Sequence, residues 1–115
     1  MLFRSIIECI PPTEVAWHCG SKTYTAYTRM ITRGNPNYVT LGVELCHPRA
    51  DGAFSGDTLK SAVSLVASLC NDFDLNPYKH ITTHKAIVGW KDCPKYWCDN
   101  PGEFQRFCRL VWNEM

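Results

Sequence analysis

No apolar run in this chain approaches the roughly 18 residues that a membrane-crossing helix needs. Excess charge is missing too. Lys and Arg number 12 against 11 Asp and Glu, a net charge of +1, which excludes a protein that grips nucleic acid or another polyanion by bulk charge. No internal repeat, low-complexity tract or linker-like stretch interrupts the sequence, so one compact unit is expected. A signal peptide is not legible at the start: Glu8 falls inside what would be its apolar segment, and no clear cleavage site follows. Nothing in the sequence is expected to export the chain by itself.

What remains is globular material. Hydrophobic residues make up 45%, aromatics 12% and charged residues 20% of 115 residues, enough for one domain and too little for two packed cores. Cysteine is abundant, at seven residues. An odd count without an export signal fits reduced thiols better than a disulfide framework. Cys19, Cys46, Cys70 and Cys108 are assigned to packing, where a thiol behaves as a small hydrophobe.

Leu2 to Ile10 is rich in apolar and β-branched residues and stops at Pro11-Pro12, which predicts a strand. Glu14 to His18 is a second, short strand candidate. Ser21 to Asn37 reads as a long surface loop with room for one helical turn. Tyr38 to Cys46 is the best strand candidate, apolar on both faces as a central strand would be. A helix follows, capped by Asp57 or Thr58, with Leu59, Ala62, Val63, Val66, Leu69, Cys70 and Phe73 at helical spacing. Ile81-Thr82-Thr83 favours a strand between Tyr78 and His84. A last helix starts at Asn100-Pro101 and buries Phe104, Phe107, Cys108 and Val111. Strands interleaved with amphipathic helices imply an α/β domain, a central mixed β-sheet covered by helices.

The stretch from His80 to Pro94 is densest in chemistry. His84 and Cys93 are soft donors of the zinc type, joined by a loop containing Gly89. A closed site of His80, His84, Cys93 and Cys98 is the rival. On a strand His80 and His84 would stand about 13 Å apart, at roughly 3.3 Å per residue, too far to share one ion. Glu44 ends an apolar strand candidate, where a buried carboxylate without partners would be costly, so a functional role is expected. Trp17, Trp90 and Trp97 fit packing as well as substrate contact, and His47 and His80 read as surface or structural histidines.

Three segments in order carry a specific resemblance: Ala16-Trp17-His18-Cys19-Gly20, then Asn37 to Leu45 with its Gly-Val-Glu, then His84 leading to Lys91-Asp92-Cys93-Pro94. Together they resemble the zinc-dependent N-acetylmuramoyl-L-alanine amidases of type 2, which include phage endolysins and share a fold with peptidoglycan recognition proteins. The resemblance implies Zn2+ as cofactor, with His84 and Cys93 as its second and third protein ligands. It implies that Glu44 orients or deprotonates the attacking water and that Lys91 stabilises the oxyanion. It also implies that Trp17 and His18 wall the groove for the glycan-linked stem peptide. Peptidoglycan would be the partner, and the N-acetylmuramoyl-L-alanine amide the bond cut, in cell-wall lysis by a phage or prophage. The protein would then stay in the cytoplasm of the bacterial host until release and act at the wall.

The resemblance also implies a departure. Type 2 amidases carry their first zinc ligand on an opening strand ahead of the Ala-Trp-His motif. Residues 1–15 hold no His, and Phe3 to Ile10 resemble a later strand of the family. Residues 1–115 are therefore expected to form a single amidase-like domain lacking the opening strand and first ligand. A second reading follows, of a catalytically incomplete form that binds peptidoglycan. An open sheet edge would let it assemble with itself or with a full-length amidase.

Overall fold

A computed structural model describes residues 5–115. In chain order the elements are α1 (Ala26–Thr32), a 3-10 turn (Pro36–Tyr38), α2 (Gly56–Asp72), α3 (Pro77–His80), α4 (His84–Val88), α5 (Lys95–Asp99) and α6 (Pro101–Glu114). They fall into two compact units. One holds Leu45–Ile81 and Lys95–Met115; the other holds Ile7–Glu44 and Thr82–Pro94.

The first unit is a helical bundle built on the two amphipathic segments. Ser55, not Asp57 or Thr58, caps α2: its hydroxyl accepts from the Thr58 amide at 3.2 Å, and Asp57 falls in the first turn. Ala62, Ala67 and Cys70 face inward from α2, and Phe107, Cys108 and Val111 from α6. The two helices pack against each other, with α3 and α5 closing the sides of α6. Trp97 of α5 sits at the middle of an aromatic cluster. Its ring lies 5.3 Å from Phe54, 5.4 Å from Phe104 and 4.9 Å from Phe107. Trp97 is thus core. Burial pushes the Cys70 and Cys108 thiols up, Cys108 further so because Cys70 is near; these two do pack as small hydrophobes. Cys46 does not, being exposed.

The second unit is held by hydroxyls. Thr25 caps α1, and it also donates to the Ala86 carbonyl at 2.7 Å while its amide donates to the Ile87 carbonyl at 3.0 Å. Thr28, fully buried, donates to the same Ile87 carbonyl at 2.8 Å. Three donors from the start of α1 thus satisfy carbonyls at the end of α4 that the short helix leaves free. Cys19, Ile87 and Val88 form the small apolar centre, with Tyr24 against it.

The expected mixed β-sheet is not there: among the described residues no strand pairs with another. The β-branched run at residues 38–46 favours extended backbone, but a strand forms only where a neighbour takes its N–H and C=O groups. Its first residues instead close the 3-10 turn, because Pro36 presets φ and the Asn35 side chain accepts from the Asn37 amide at 2.9 Å. Val39, Leu41 and Val43 are exposed rather than covered on both faces. Residues 5–10 and 14–18 likewise form no ladder, and residues 2–4 of the first strand candidate lie outside the described residues. Ile81 to Thr83 is a link between α3 and α4, with Thr83 spent on capping α4 through the Ala86 amide. Without a sheet, the open-edge route to assembly has no footing among these residues.

Candidate functional site

All six residues singled out from the sequence fall in the second unit: Trp17, His18, Glu44, His84, Lys91 and Cys93. His84 opens α4, directly after its cap Thr83. Its Nε2–H donates to the Cys19 carbonyl at 2.9 Å. A carbonyl can only accept, so Nε2 carries a proton, and in the neutral ring the lone pair is on Nδ1.

Cys93 is brought back to the start of α4 by the backbone. Gly89 ends the helix with φ +81°, and the Lys85 amide donates to the Cys93 carbonyl at 2.9 Å. An ion pair of Lys85 with Asp92 at 3.0 Å and a bond from the Trp90 indole to Ser21 at 3.0 Å hold the intervening loop. Burial pushes the Cys93 thiol up; the Lys91 ammonium opposes this and the Glu44 carboxylate adds to it. Lys91 and Glu44 are therefore each close enough to act on Cys93. Glu44 is exposed, so the expectation of a costly buried carboxylate does not hold. Lys91 is exposed as well.

Trp17 is two-thirds exposed and meets the edge of Tyr38 at 5.8 Å between ring centres. His18 is engaged at both nitrogens: Nδ1 donates to the Ala16 carbonyl at 2.9 Å, and Nε2 meets the Thr40 hydroxyl at 2.7 Å. The ring is thus committed to the fold and offers no free donor atom. Its side chain lies against Gly42, where a β-carbon would come within 2.7 Å of His18 Cβ and Cγ. Gly42 is a glycine for space. Gly42→Ala should displace His18, break its bond to Thr40 and cost about 1–3 kcal/mol, measured by urea denaturation. An unchanged midpoint would show that the His18 packing carries no stability.

His84 and Cys93 are donors of the kind zinc takes. Among the described residues, however, no group of three or more His, Cys, Asp or Glu side chains is placed to hold a metal. These residues fit a zinc ion in donor type and fall short of the usual three protein ligands. His80, from the rival closed site, spends Nδ1 on the Asn76 amide at 2.8 Å.

Sequence reasoning gave no role to two residues that hold this region, Asn37 and Thr40. Asn37 is buried and its Oδ1 accepts from the Cys19 amide at 2.8 Å. Thr40 joins His18 to the Pro36 carbonyl, the latter at 2.7 Å. Cys19 packs with Ile87 and Val88 as expected of a small hydrophobe, and its backbone also carries bonds to Asn37 and His84. The one local signal was Asn35-Pro36-Asn37, a pattern that favours side-chain-capped turns.

Residues 3–96 match the family model of N-acetylmuramoyl-L-alanine amidase, and the chain belongs to that family. Among curated relatives it is 34% identical over 108 residues to the N-acetylmuramoyl-L-alanine amidase BlyA of Bacillus subtilis (strain 168), covering 89% of this chain and 29% of BlyA. It is 32% identical over 102 residues to a probable N-acetylmuramoyl-L-alanine amidase of Bacillus licheniformis, covering 89% and 27%. It is 32% identical over 104 residues to the N-acetylmuramoyl-L-alanine amidase CwlA of a Bacillus species, covering 90% and 37%. The chain thus spans roughly a third or less of the length of these relatives. No solved structure matches.

Proposed function

We propose that this chain is the catalytic part of a peptidoglycan amidase that hydrolyses the bond between the lactyl group of N-acetylmuramic acid and L-alanine. The observation that carries the reading is the return of Cys93 to the start of α4, beside His84, with Lys91 and Glu44 each near enough to act on the Cys93 thiol, on a family match that runs through all four. In this reaction water adds to the amide carbonyl, the C–N bond breaks, and a carboxylate and the free amine of the stem peptide result. Glu44, exposed to solvent, takes the proton from the attacking water and returns it to the departing nitrogen. Lys91 faces the negative charge that develops on the carbonyl oxygen. His84 Nδ1 and the Cys93 thiolate would hold zinc, which when bound supplies the Lewis acid that polarises the carbonyl. The exposed Trp17–Tyr38 pair offers apolar faces to the glycan-peptide.

A second reading, a form that binds peptidoglycan without turning it over, is favoured by the lack of a third metal donor among the described residues. Zinc content separates the two. The enzyme reading expects about one tightly held zinc per chain in the purified protein, lost in His84→Ala. Little or no zinc in either protein would favour the binding form.

A further inference from the structure

The contacts around Cys19 assign a role to Asn37, a residue that opens the second family-like segment but was given no function from the sequence. Asn37 is 3% exposed, a side-chain amide held away from water. Its own amide is fixed by Asn35 at 2.9 Å, at the 3-10 turn whose first residue, Pro36, is also buried. From that anchored position its Oδ1 accepts the Cys19 N–H at 2.8 Å. The orientation of the Asn37 amide is unambiguous, because a backbone N–H can be met only by the oxygen. Immediately beyond, the Cys19 carbonyl accepts His84 Nε2–H at 2.9 Å. Cys19 is thus held at its amide by Asn37 and at its carbonyl by His84, and the next residue, Gly20, turns away with φ +47°.

We propose that Asn37 is a positioning residue for His84: by fixing the Cys19 backbone, it holds the carbonyl that keeps the proton on Nε2 and directs the Nδ1 lone pair outward. The proposal rests on His84 being a functional residue, as in the reading above. The physical logic is that of an outer-layer partner. A histidine that ligates or polarises is oriented through its second nitrogen, and the group holding that nitrogen must itself be held. Cys19 lies in a turn, where the backbone has no ladder or helix to fix it. Asn37 does so instead, its backbone N–H donating to Asn35 and its buried side-chain oxygen accepting from Cys19.

The test is made by NMR on the metal-free protein, so that it does not depend on turnover. In the wild type, the His84 ring proton on Nε2 should be visible and protected from exchange, with a scalar coupling across the hydrogen bond to the Cys19 carbonyl carbon. In Asn37→Ala the signal and the coupling should be lost, while the helical circular dichroism is kept. Asn37→Asp retains an oxygen for the Cys19 amide and should restore both. A wild-type His84 protonated on Nδ1 would overturn the proposal outright, and so would an Asn37→Ala protein in which the coupling persists. Should Asn37→Ala not fold, loss of the coupling in a folded Asn37→Asp would overturn it instead. If the coupling responds as expected while cell walls are left uncut, the positioning role stands and the amidase reading fails.

Discussion

Glu44→Gln should lower hydrolysis of purified cell walls by about 10²- to 10⁴-fold, the contribution of a positioned general base. Stability should stay within about 0.5 kcal/mol of the parent, as for a surface substitution away from packed features. The two halves of this expectation come from one structural fact. Glu44 is exposed, and Gln has nearly its size and shape. Its charge nevertheless reaches the Cys93 thiol and raises it, so a negative group at this position acts on the site without holding the fold. Gln keeps the shape and the hydrogen-bonding oxygen and removes only the ability to take a proton. The assay is release of L-alanine amino ends from purified walls, with urea denaturation of the same preparations. Full activity in Glu44→Gln would remove the residue from the mechanism. A large loss of stability would instead mean that the carboxylate serves the fold.

The family was more legible in the sequence than the fold was. Glu44, Lys91, His84 and Cys93 belong to short segments within the stretch that matches the family, and all four fall in one unit. Helices α2 and α6 were legible because their apolar residues recur at helical spacing over 17 and 14 residues. Such a run specifies a face whatever lies opposite. Residues 38–46 show the limit of the same reasoning. Alternation and β-branching state a preference for extended backbone, whereas a sheet is a property of two segments, and one segment cannot report whether its partner is present. The short helices α3, α4 and α5 have four or five residues each, too few to show a period. They are set by caps such as Asn76 and Thr83. Asn37 was invisible for a related reason. Its partner, the Cys19 amide, is 18 residues away, and a side chain that bonds to backbone leaves no trace in the identity of the residue it holds.

Trp97→Ala should be the most damaging single substitution for stability, costing about 3–5 kcal/mol, as large-to-small changes of buried aromatics do. With a slope of about 1–3 kcal/mol per molar urea, that is a fall in midpoint of about 1–5 M. The size follows from the surroundings. Trp97 is 7% exposed and touches aromatic rings from three directions, Phe54 before α2 and Phe104 and Phe107 on α6. Removing the indole leaves a void that these rings cannot all close. Because Trp17, Trp90 and Trp112 are each about half exposed or more, Trp97 is the buried emitter among the four tryptophans. Its removal should therefore also shift the mean fluorescence of the folded protein to longer wavelength. Trp97→Phe, which keeps an aromatic ring in the cluster, should recover most of the stability. The same residue could have been read from the sequence as a substrate contact, and the experiment separates the two roles. A packing residue lowers the urea midpoint and leaves cell-wall binding by the folded fraction unchanged. A Trp97→Ala protein of unchanged stability that no longer bound walls would move Trp97 out of the core and onto the substrate face.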